Sequence, residues 1–500
     1  MLLTLDGSGP RYAQITRALR GMIQAGALPF EARLPPTREL ARDLGCSRNI
    51  VLLAYEQLVL EGYLVSRQGA GTFVSPAWPR VGGTAGAAPS IRAASPTRLS
   101  QRGRLSIEAA EHARAVMARR KGMAIDFMYG LCEPDPRVVA RLRAAFNSGL
   151  RSRAFRYGPA AGDPELRQQV ADRIRASRGI TSSPDQIVVT NGAQQALDIC
   201  VRLLLDPGDR IIVEDPGYST VHAAFLAAGA TLVRVPVDGQ GLDLSALPRD
   251  GKPVRAIYVT PSHQFPTGAV MPAARRYALI DWARRRGAYI IEDDYDGEFR
   301  YGGQPVAALA ALETDGRVIY CGTFAKSLFP SLRLAYLAVP PNLATAVADT
   351  KWLCDLGSSA LLQHTLAQLM ETGAYDRHIR RMQKHYRARR QVLLTAIKRH
   401  FGDSAEVAGA GAGLHVVVWL PGLPPDRVTT LIDECAARGV GVYSIAGHAT
   451  RRLPRAGLIL GYGLTDARQI DRGIEIVSLV CRELTATVPQ PRRVAGSRRR

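Results

Sequence analysis

The 500-residue chain has few of the features that mark membrane or secreted proteins. No apolar run approaches the ~18 residues that a membrane-spanning helix needs, so we expect no transmembrane segment. Its first residues show no basic stretch followed by an apolar one, which argues against a secretory signal. The seven cysteines form no closely spaced pair, which favours reduced thiols over a disulfide framework or a zinc site. We therefore expect a cytoplasmic protein without a metal site.

Acidic residues are also in short supply. The chain has 65 Lys and Arg against 44 Asp and Glu, a net charge of +21. A polyanionic partner such as DNA would account for this excess. An arginine-rich codon bias would account for part of it as well, so charge alone does not establish DNA binding. The length predicts two or three domains.

The first 75 residues predict a small helical domain of the DNA-binding kind. Apolar residues recur at helical spacing over residues 11–25. Two shorter helices follow, with Thr37 and Ser47 as expected N-caps. Because the last helix opens with Ser47, Arg48 and Asn49, polar and basic groups lie at the end that would enter a major groove.

A β-hairpin is predicted directly after these helices. Two short apolar strands flank a glycine-rich turn within residues 62–74. Arg67 and the backbone of Gly69 and Gly71 would form a wing over the sugar-phosphate backbone or the minor groove. The alternative interpretation of residues 1–75 is a small helical protein-interaction domain.

The same stretch closely resembles the winged-helix domain of the GntR family of bacterial regulators. The motifs that carry the resemblance are the runs 34–41, 44–48, 54–58, 62–64 and 69–74. The resemblance implies DNA contacts from Arg38, Ser47, Arg48, Asn49, Arg67, Gly69 and Thr72.

Residues 76–122 change character and predict a flexible or partly extended linker. Proline, glycine, alanine and arginine dominate there, with room for one helical turn around residues 107–117. The arginines either help to hold DNA or keep the linker solvated. At the other end of the chain, residues 486–500 predict a disordered basic tail, with non-specific DNA contact as the alternative.

Residues 123–485 predict a large α/β domain with a mostly parallel central sheet. Short apolar runs alternate there with amphipathic helical stretches. Ligands of such sheets collect at the carboxyl ends of the strands, and polar residues or glycines follow each run. The runs of buried-strand type are 187–189, 210–213, 256–259, 289–291 and 318–320.

Lys326 is the residue around which the chemistry of this domain is organised. A lysine amine forms a Schiff base with an aldehyde, and Thr323 and Arg333 could hold a phosphate. The three groups together suit pyridoxal phosphate (PLP), which carries the aldehyde and the phosphate on one ring. The alternative is a surface lysine in a loop that happens to contain serine and arginine.

Residues after the other strands could complete a PLP site. The helix that opens at Gly192 offers backbone N–H groups to a phosphate. Tyr218 could stack on a planar ring. Asp293 could keep a pyridine nitrogen protonated, and Tyr295 could hydrogen-bond the phenolic oxygen of the ring.

The large domain resembles the fold type I aminotransferases over nearly its full length. The matching runs are 157–158, 162–167, 190–197, 215–218, 266–268, 293–295 and 323–333. The resemblance implies that Lys326 carries the cofactor, Asp293 partners the pyridine nitrogen and Tyr218 stacks on the ring. It implies phosphate contacts from Gly192, Ala193, Gln194, Thr323 and Arg333. It also implies a domain-swapped homodimer, in which Tyr157 reaches the phosphate of the neighbouring subunit.

Two positions depart from the aminotransferase pattern. Phe265 stands where these enzymes usually have asparagine before Pro-Thr-Gly. Ile459 stands where they carry an arginine for the substrate carboxylate. The basic residues nearby in sequence, which are candidates to replace that arginine, are Arg451, Arg452 and Arg455.

The order of winged helix, linker and aminotransferase-like domain resembles the MocR/PdxR subgroup of GntR regulators, as do the runs 262–266 and 293–301. This resemblance implies a transcriptional regulator that binds an operator in double-stranded DNA and works at the nucleoid of a bacterial cell. It would sense PLP, another B6 vitamer, an amine or an amino acid through an aldimine on Lys326. Two alternatives stay open: an active aminotransferase with a secondary DNA-binding domain, and a DNA-binding protein whose large domain only dimerises.

Overall fold

The computed structural model describes residues 3–76, 98–119, 122–151, 156–302 and 307–486. The chain divides into two compact units, residues 1–98 and 99–500. Within the described ranges, no helix is both long enough and apolar enough to cross a membrane.

The first unit is a three-helix domain with a β-hairpin. Its apolar core is formed where the helices pack on one another, and Leu19, Val51 and Leu58 are fully buried there. The hairpin pairs in the register that joins Leu64 to Val74. The elements are α1 (Arg11–Gln24), α2 (Thr37–Asp43), α3 (Arg48–Leu60), β1 (Leu64–Arg67) and β2 (Gly71–Val74).

The starts of α2 and α3 both differ from the sequence expectation. Ser47 takes the N-cap position of α3, but its side chain makes no capping hydrogen bond. Pro36 takes the N-cap position of α2, so Thr37 is the first helical residue rather than the cap. The Thr37 hydroxyl instead accepts a hydrogen bond of 3.3 Å from Nε of Arg48, which links the starts of α2 and α3.

Much of the predicted linker, and almost all of the predicted basic tail, lies outside the described residues. The described part of the linker is not extended, because residues 101–119 form a single helix of the second unit. This helix packs against a helix of the large domain, and its Arg102 lies 3.5 Å from Asp198. The sequence predicts only a helical turn within this stretch, because its apolar residues recur only weakly at helical spacing.

The second unit consists of the following elements. Its helices are α4 (Gln101–Arg119), α5 (Pro136–Gly149), α6 (Pro164–Arg178), α7 (Ala193–Leu204), α8 (Ser219–Ala227), α9 (Ala273–Arg286), α10 (Leu309–Leu312), α11 (Ala344–Asp355), α12 (Ala360–Glu371), α13 (Ala374–Phe401), α14 (Val428–Ala437) and α15 (Ala467–Ala486). Its strands are β3 (Ile125–Asp126), β4 (Ile187–Thr190), β5 (Arg210–Asp215), β6 (Thr231–Asp238), β7 (Gly241–Leu242), β8 (Ala256–Val259), β9 (Tyr289–Asp294), β10 (Val318–Thr323), β11 (Ala335–Ala338), β12 (Glu406–Ala408), β13 (His415–Leu420), β14 (Val440–Gly441), β15 (Tyr443–Ser444) and β16 (Ala456–Gly461).

The central sheet has the strand order β4-β11-β10-β9-β8-β5-β6-β7. Strands β10, β9, β8, β5 and β6 are parallel neighbours, and β4 runs in the same direction. The mostly parallel sheet is therefore confirmed, with β11 and β7 as antiparallel members. Because these six strands run the same way, the polar residues that follow β4, β5, β8, β9 and β10 lie along one edge.

A smaller sheet, β12-β13-β16-β15, packs with α13, α14 and α15 around a second core. Both faces of its central strands β13 and β16 are covered, and β16 is buried along its whole length. One end of β13 and the turn after β15 reach the carboxyl edge of the central sheet. The site is built where these two sheets approach.

Candidate functional site

A cavity of about 580 Å³ opens at the carboxyl edge of the central sheet. This volume is within the range of small-molecule and cofactor sites. The strand ends contribute most of its wall, strand β13 contributes His415, and the turn after β15 contributes His448. The cavity brings together the sequence-predicted residues Lys326, Asp293, Tyr295, Tyr218, Gly192, Ala193, Gln194, Thr323 and Arg333.

Lys326 follows β10 and projects into this cavity. Its Nζ donates a hydrogen bond of 2.6 Å to the carbonyl oxygen of Gly130. Burial lowers the pKa of the Lys326 amine, and the carboxylates of Asp296 and Asp293 oppose this shift only in part. A lowered pKa increases the share of the neutral amine, which is the form that attacks a carbonyl carbon.

Asp293 is the buried carboxylate of the cavity. Its side chain lies on the cavity side of β9, where its Oδ2 accepts a hydrogen bond of 2.7 Å from the hydroxyl of Tyr258. Its Oδ1 is buried and has no partner among the described residues. Burial raises the pKa of Asp293 to about 7. A cationic N–H group placed at Oδ1 would satisfy this oxygen and favour the ionised carboxylate.

The next residue, Asp294, points to the other face of β9, as the alternation of side chains along a strand requires. It receives Nε of Arg178 at 2.5 Å and the Tyr320 hydroxyl at 2.6 Å. Although burial acts to raise the pKa of Asp294, Arg178 and the Tyr320 hydroxyl, with a contribution from Arg300, outweigh it and lower that pKa. The two neighbouring carboxylates therefore differ. Asp294 has Arg178 as its charge partner, whereas Oδ1 of Asp293 has no partner in the described parts of the chain.

A cradle for an anion lies at the start of α7. Gly192 has φ +90°, and a Cβ atom there would lie 2.6 Å from Nη2 of Arg333. Arg333 donates 3.1 Å to the carbonyl oxygen of Asn191, which holds its guanidinium against the helix start. The N–H groups at a helix start and a guanidinium together suit a phosphate. Thr323 lines the same cavity, and its hydroxyl accepts from the N–H of Ala325 at 3.1 Å.

Aromatic rings form another wall. Phe265 lies among them, with its ring centroid 5.6 Å from Tyr218 and Tyr129 and 4.8 Å from His448. The Tyr129 hydroxyl is 2.9 Å from Nε2 of His448. Tyr295 also lines the cavity, with its hydroxyl 3.0 Å from Nδ1 of His263. A planar ring in this cavity would meet apolar and π surfaces on one side and the carboxylate of Asp293 on another.

Taken together, these residues fit PLP on observations of this structure. The free oxygen of Asp293 suits the pyridine N–H, the space above Gly192 suits the phosphate, and Lys326 suits the aldehyde. These three features occur in one cavity, and described residues supply all three of them.

Other sequence-predicted residues lie elsewhere. Tyr157 is 82% exposed and does not line the cavity. Ile459 is fully buried and packs with Val417 and Ile445, so an apolar cluster occupies the arginine's place. The three candidate replacements all lie outside the cavity lining. Two of them pair with acidic residues, Arg452 with Asp426 and Arg455 with Glu406.

In the first unit, the predicted DNA-contacting residues are accessible. Arg38, Ser47, Arg48, Asn49, Arg67 and Gly69 are exposed, and Thr72 is half-buried. The starts of α2 and α3 are adjacent through Thr37 and Arg48. On the wing, Arg67 lies 4.9 Å above the Phe73 ring and donates 2.9 Å to Glu31.

Several cavity residues were not singled out from the sequence. Tyr258 lies inside the apolar run of β8, and its one signal is a hydroxyl in a buried strand, which requires a partner. Tyr129, His415 and His448 come from segments distant in sequence from Lys326. No local pattern connects them to the site, because only the packing of the two sheets brings them there.

The fold and the cavity define a class of protein: a winged-helix unit joined to a PLP-type aminotransferase domain. Comparison with family models agrees, since residues 11–74 match "Bacterial regulatory proteins, gntR family". Residues 128–454 match "Aminotransferase class I and II".

Similar proteins share this whole arrangement. The chain is 36% identical to the probable rhizopine catabolism regulatory protein MocR of Rhizobium meliloti, covering 100% of this chain and 99% of that protein. It is 32% identical to the HTH-type pyridoxine biosynthesis transcriptional regulator PdxR of Corynebacterium glutamicum, covering 91% and 92%. The chain belongs to this family of GntR-type regulators with an aminotransferase class I and II domain.

Solved structures resemble the large domain. The multiple substrate aminotransferase of Thermococcus profundus matches with a TM-score of 0.69 and 27% identity, covering 75% of this chain and 96% of that one. The kynurenine aminotransferase of Pyrococcus horikoshii matches with a TM-score of 0.68 and 26% identity, covering 78% and 95%. The fold type I aminotransferase architecture is therefore confirmed.

Proposed function

We propose that this protein is a PLP-dependent transcriptional regulator. The large domain binds PLP on Lys326 and senses PLP itself or an amine that reacts with it, and the winged helix binds operator DNA. The observation that carries the proposal is the buried oxygen of Asp293, which has no partner among the residues that the structure describes and shares one cavity with Lys326 and Arg333. The same chain also has a winged helix.

Bound PLP supplies an electrophilic carbon for amines and an electron sink. The chain supplies the rest: Asp293 holds a proton at the pyridine nitrogen, and Tyr218 covers the ring. Arg333, Thr323 and the N–H groups of α7 neutralise the phosphate. Tyr157 is proposed to extend to the phosphate of a second copy, which its high exposure permits. A dimer would carry two winged helices and gain affinity for paired half-sites through effective concentration.

An active aminotransferase is the second candidate, and the intact arrangement of Lys326 and Asp293 favours it. Against it stands the apolar cluster around Ile459, since turnover of amino acids needs a cation for the carboxylate. A sensor has a lower requirement, because it needs one binding event and not a cycle between two substrates. The structure of the cavity therefore supports binding more strongly than turnover.

One experiment separates these candidates. The purified protein is mixed with PLP, and visible absorption is followed during a screen of amines, amino acids and B6 vitamers, with Lys326→Ala as the control. The regulator predicts absorption that Lys326→Ala loses and that selected amines shift. Steady multi-turnover transfer from an amino acid to a keto acid would favour the aminotransferase. No absorption in the native protein would favour a large domain that only dimerises.

A further inference from the structure

A buried chain of polar groups leads away from Tyr295. The hydroxyl of Tyr295 lies 3.0 Å from Nδ1 of His263, and the same nitrogen lies 2.8 Å from Oδ2 of Asp296. His263 is 1% exposed and Asp296 is 4% exposed. Tyr295 and Asp296 line the cavity, whereas His263 lies behind them. Nδ1 therefore has two candidate partners and can satisfy one of them in each protonation state.

The proton inventory of His263 follows from the acceptors around it. Its Nε2 is 3.3 Å from the carbonyl oxygen of Gly409, which can only accept, so Nε2 carries a proton. If Nδ1 also carries a proton, it donates to Asp296 and leaves the Tyr295 hydroxyl proton free for the cavity. If Nδ1 is bare, it accepts from Tyr295, and that proton is no longer available.

The surroundings of His263 favour the doubly protonated ring. Burial acts to lower the pKa of His263 and Arg300 acts in the same direction, but Asp296 and the carbonyl oxygen of Gly409 together outweigh both and raise that pKa. The neighbouring ring of His415 adds no competing charge, because burial lowers its pKa to about 3. Neutral His415 packs with its centroid 4.9 Å from His263. The imidazolium of His263 thus has its charge partner beside it.

The side chain of Phe265 leaves the cavity without a hydrogen-bond donor at this position. Phenylalanine has no hydrogen-bond donor, and it stands where aminotransferases are expected to have asparagine. The amide of the adjacent Gln264 does not replace it. Its Nε2 donates to the carbonyl oxygens of Phe265 and Pro216, and its Oε1 accepts from Thr267. The donor for the phenolic oxygen of the PLP ring must come from another side chain, and Tyr295 lines the cavity.

We propose that His263 and Asp296 are positioning residues that keep the hydroxyl proton of Tyr295 directed to the cavity, where it hydrogen-bonds the phenolic oxygen of PLP. This inference rests on the proposed function. His263, Asp296 and His415 also bring ligand-type atoms within 4.8 Å of one another. The direct contact between His263 and Asp296 occupies the facing atoms, which favours a hydrogen-bond chain over an ion site.

The test is a pH titration of the visible absorption of the PLP-loaded protein. A donor to the phenolic oxygen stabilises its negative charge and so helps the nitrogen of Lys326 to lose its proton. Loss of such a hydrogen bond, at roughly 1.5–3 kcal/mol, should raise the midpoint by about 1–2 pH units. Lys326 is also faced by Asp293, Asp296, Arg333 and Cys132, which remain in place unless replaced.

Tyr295→Phe should raise the midpoint by that amount, and Asp296→Asn should raise it in the same direction. Asp296→Asn leaves the local net charge nearly unchanged, because His263 loses its proton together with the carboxylate. The double variant Tyr295→Phe/Asp296→Asn should show no further shift beyond Tyr295→Phe. An additive double variant, a downward shift or an unshifted Tyr295→Phe overturns the proposal.

A second measurement needs no cofactor. The Nδ1 proton of His263 should give a low-field signal in the proton NMR spectrum of the PLP-free protein at neutral pH. The signal should vanish in His263→Gln, which assigns it, and in Asp296→Asn. A native protein without the signal overturns the inference, even if Asp296→Asn proves unstable. A native protein that takes up no PLP refutes the proposed function instead, and the NMR signal then decides the protonation of His263 independently.

Discussion

Asp293→Asn should make the PLP-free protein more stable and its PLP complex weaker. Asparagine keeps the size of the side chain and an acceptor for the Tyr258 hydroxyl, but it removes the charge. Burial raises the pKa of Asp293 from 3.8 to about 7. A difference of about 3 units corresponds to about 4 kcal/mol of unfolding free energy. This value is a ceiling, since the new amide also needs partners.

The sign follows from the direction of the shift. The pKa of Asp293 is higher in the folded state than in the unfolded chain. The loss of folding stability that the ionised carboxylate causes is therefore absent below pH ~4 and complete above pH ~7. Between pH 5 and pH 8, the stability of Asp293→Asn relative to the native protein should therefore rise by about 2.5 kcal/mol. With PLP bound, the lost charge-assisted hydrogen bond should weaken affinity by roughly 10- to 100-fold.

Urea unfolding of the PLP-free proteins at pH 5 and pH 8 measures the first effect, and spectrophotometric PLP titration measures the second. Asp294→Asn is the control of opposite sign, because the pKa of Asp294 is lowered by Arg178 and its removal should destabilise the protein. The reasoning is refuted if the stability difference between Asp293→Asn and the native protein stays constant with pH. Unchanged PLP affinity in Asp293→Asn would refute the assigned role of this carboxylate.

Three further outcomes are expected. Gly192→Ala should weaken PLP binding at least ~10-fold in the same titration, because the new Cβ would collide with Arg333. Gly208→Ala is the control and should leave PLP binding unchanged, because Gly208 has a similar φ of +94° but lies in open space. Arg48→Ala should weaken binding to a DNA duplex selected from a random library by about 10- to 100-fold in an anisotropy assay, while the PLP absorption stays unchanged. The control Arg17→Ala removes a side chain that pairs with Asp6, and this variant should bind the duplex normally. An amino acid and its decarboxylated amine should shift the spectrum at similar concentrations, because in the described cavity lining no arginine replaces the carboxylate-binding arginine of aminotransferases. A preference of ~10-fold or more for the amino acid would contradict this expectation.

The strands that carry the site could be predicted because each is a short apolar run followed by a polar residue or glycine. The resulting parallel order placed Gly192, Asp293 and Lys326 at one edge, as the structure has them. Strand β11 was not predicted. It lies between β10 and β4 in the sheet and runs antiparallel to both. Its place there depends on pairing with β4, which is far away in the chain.

The rest of the cavity depends on tertiary packing. His415 begins a strand of the smaller sheet and His448 ends a turn, and nothing in their local sequence points to Lys326. The contact of His263 with Tyr295 and Asp296 could not be predicted from local sequence either, although all three residues lie in runs that resemble the MocR/PdxR subgroup. Motifs indicate which segments matter, but the choice of hydrogen-bond partners follows from the distances between side chains.

The central claim is that PLP is held on Lys326. Borohydride reduction of the PLP-loaded native protein fixes the cofactor on the amine that bears it, and mass spectrometry of a proteolytic digest then locates the added mass. We predict one pyridoxyl group per chain, on the peptide that contains Lys326, and none on that segment in Lys326→Ala. Native protein labelled only at surface lysines, or not labelled, would contradict it.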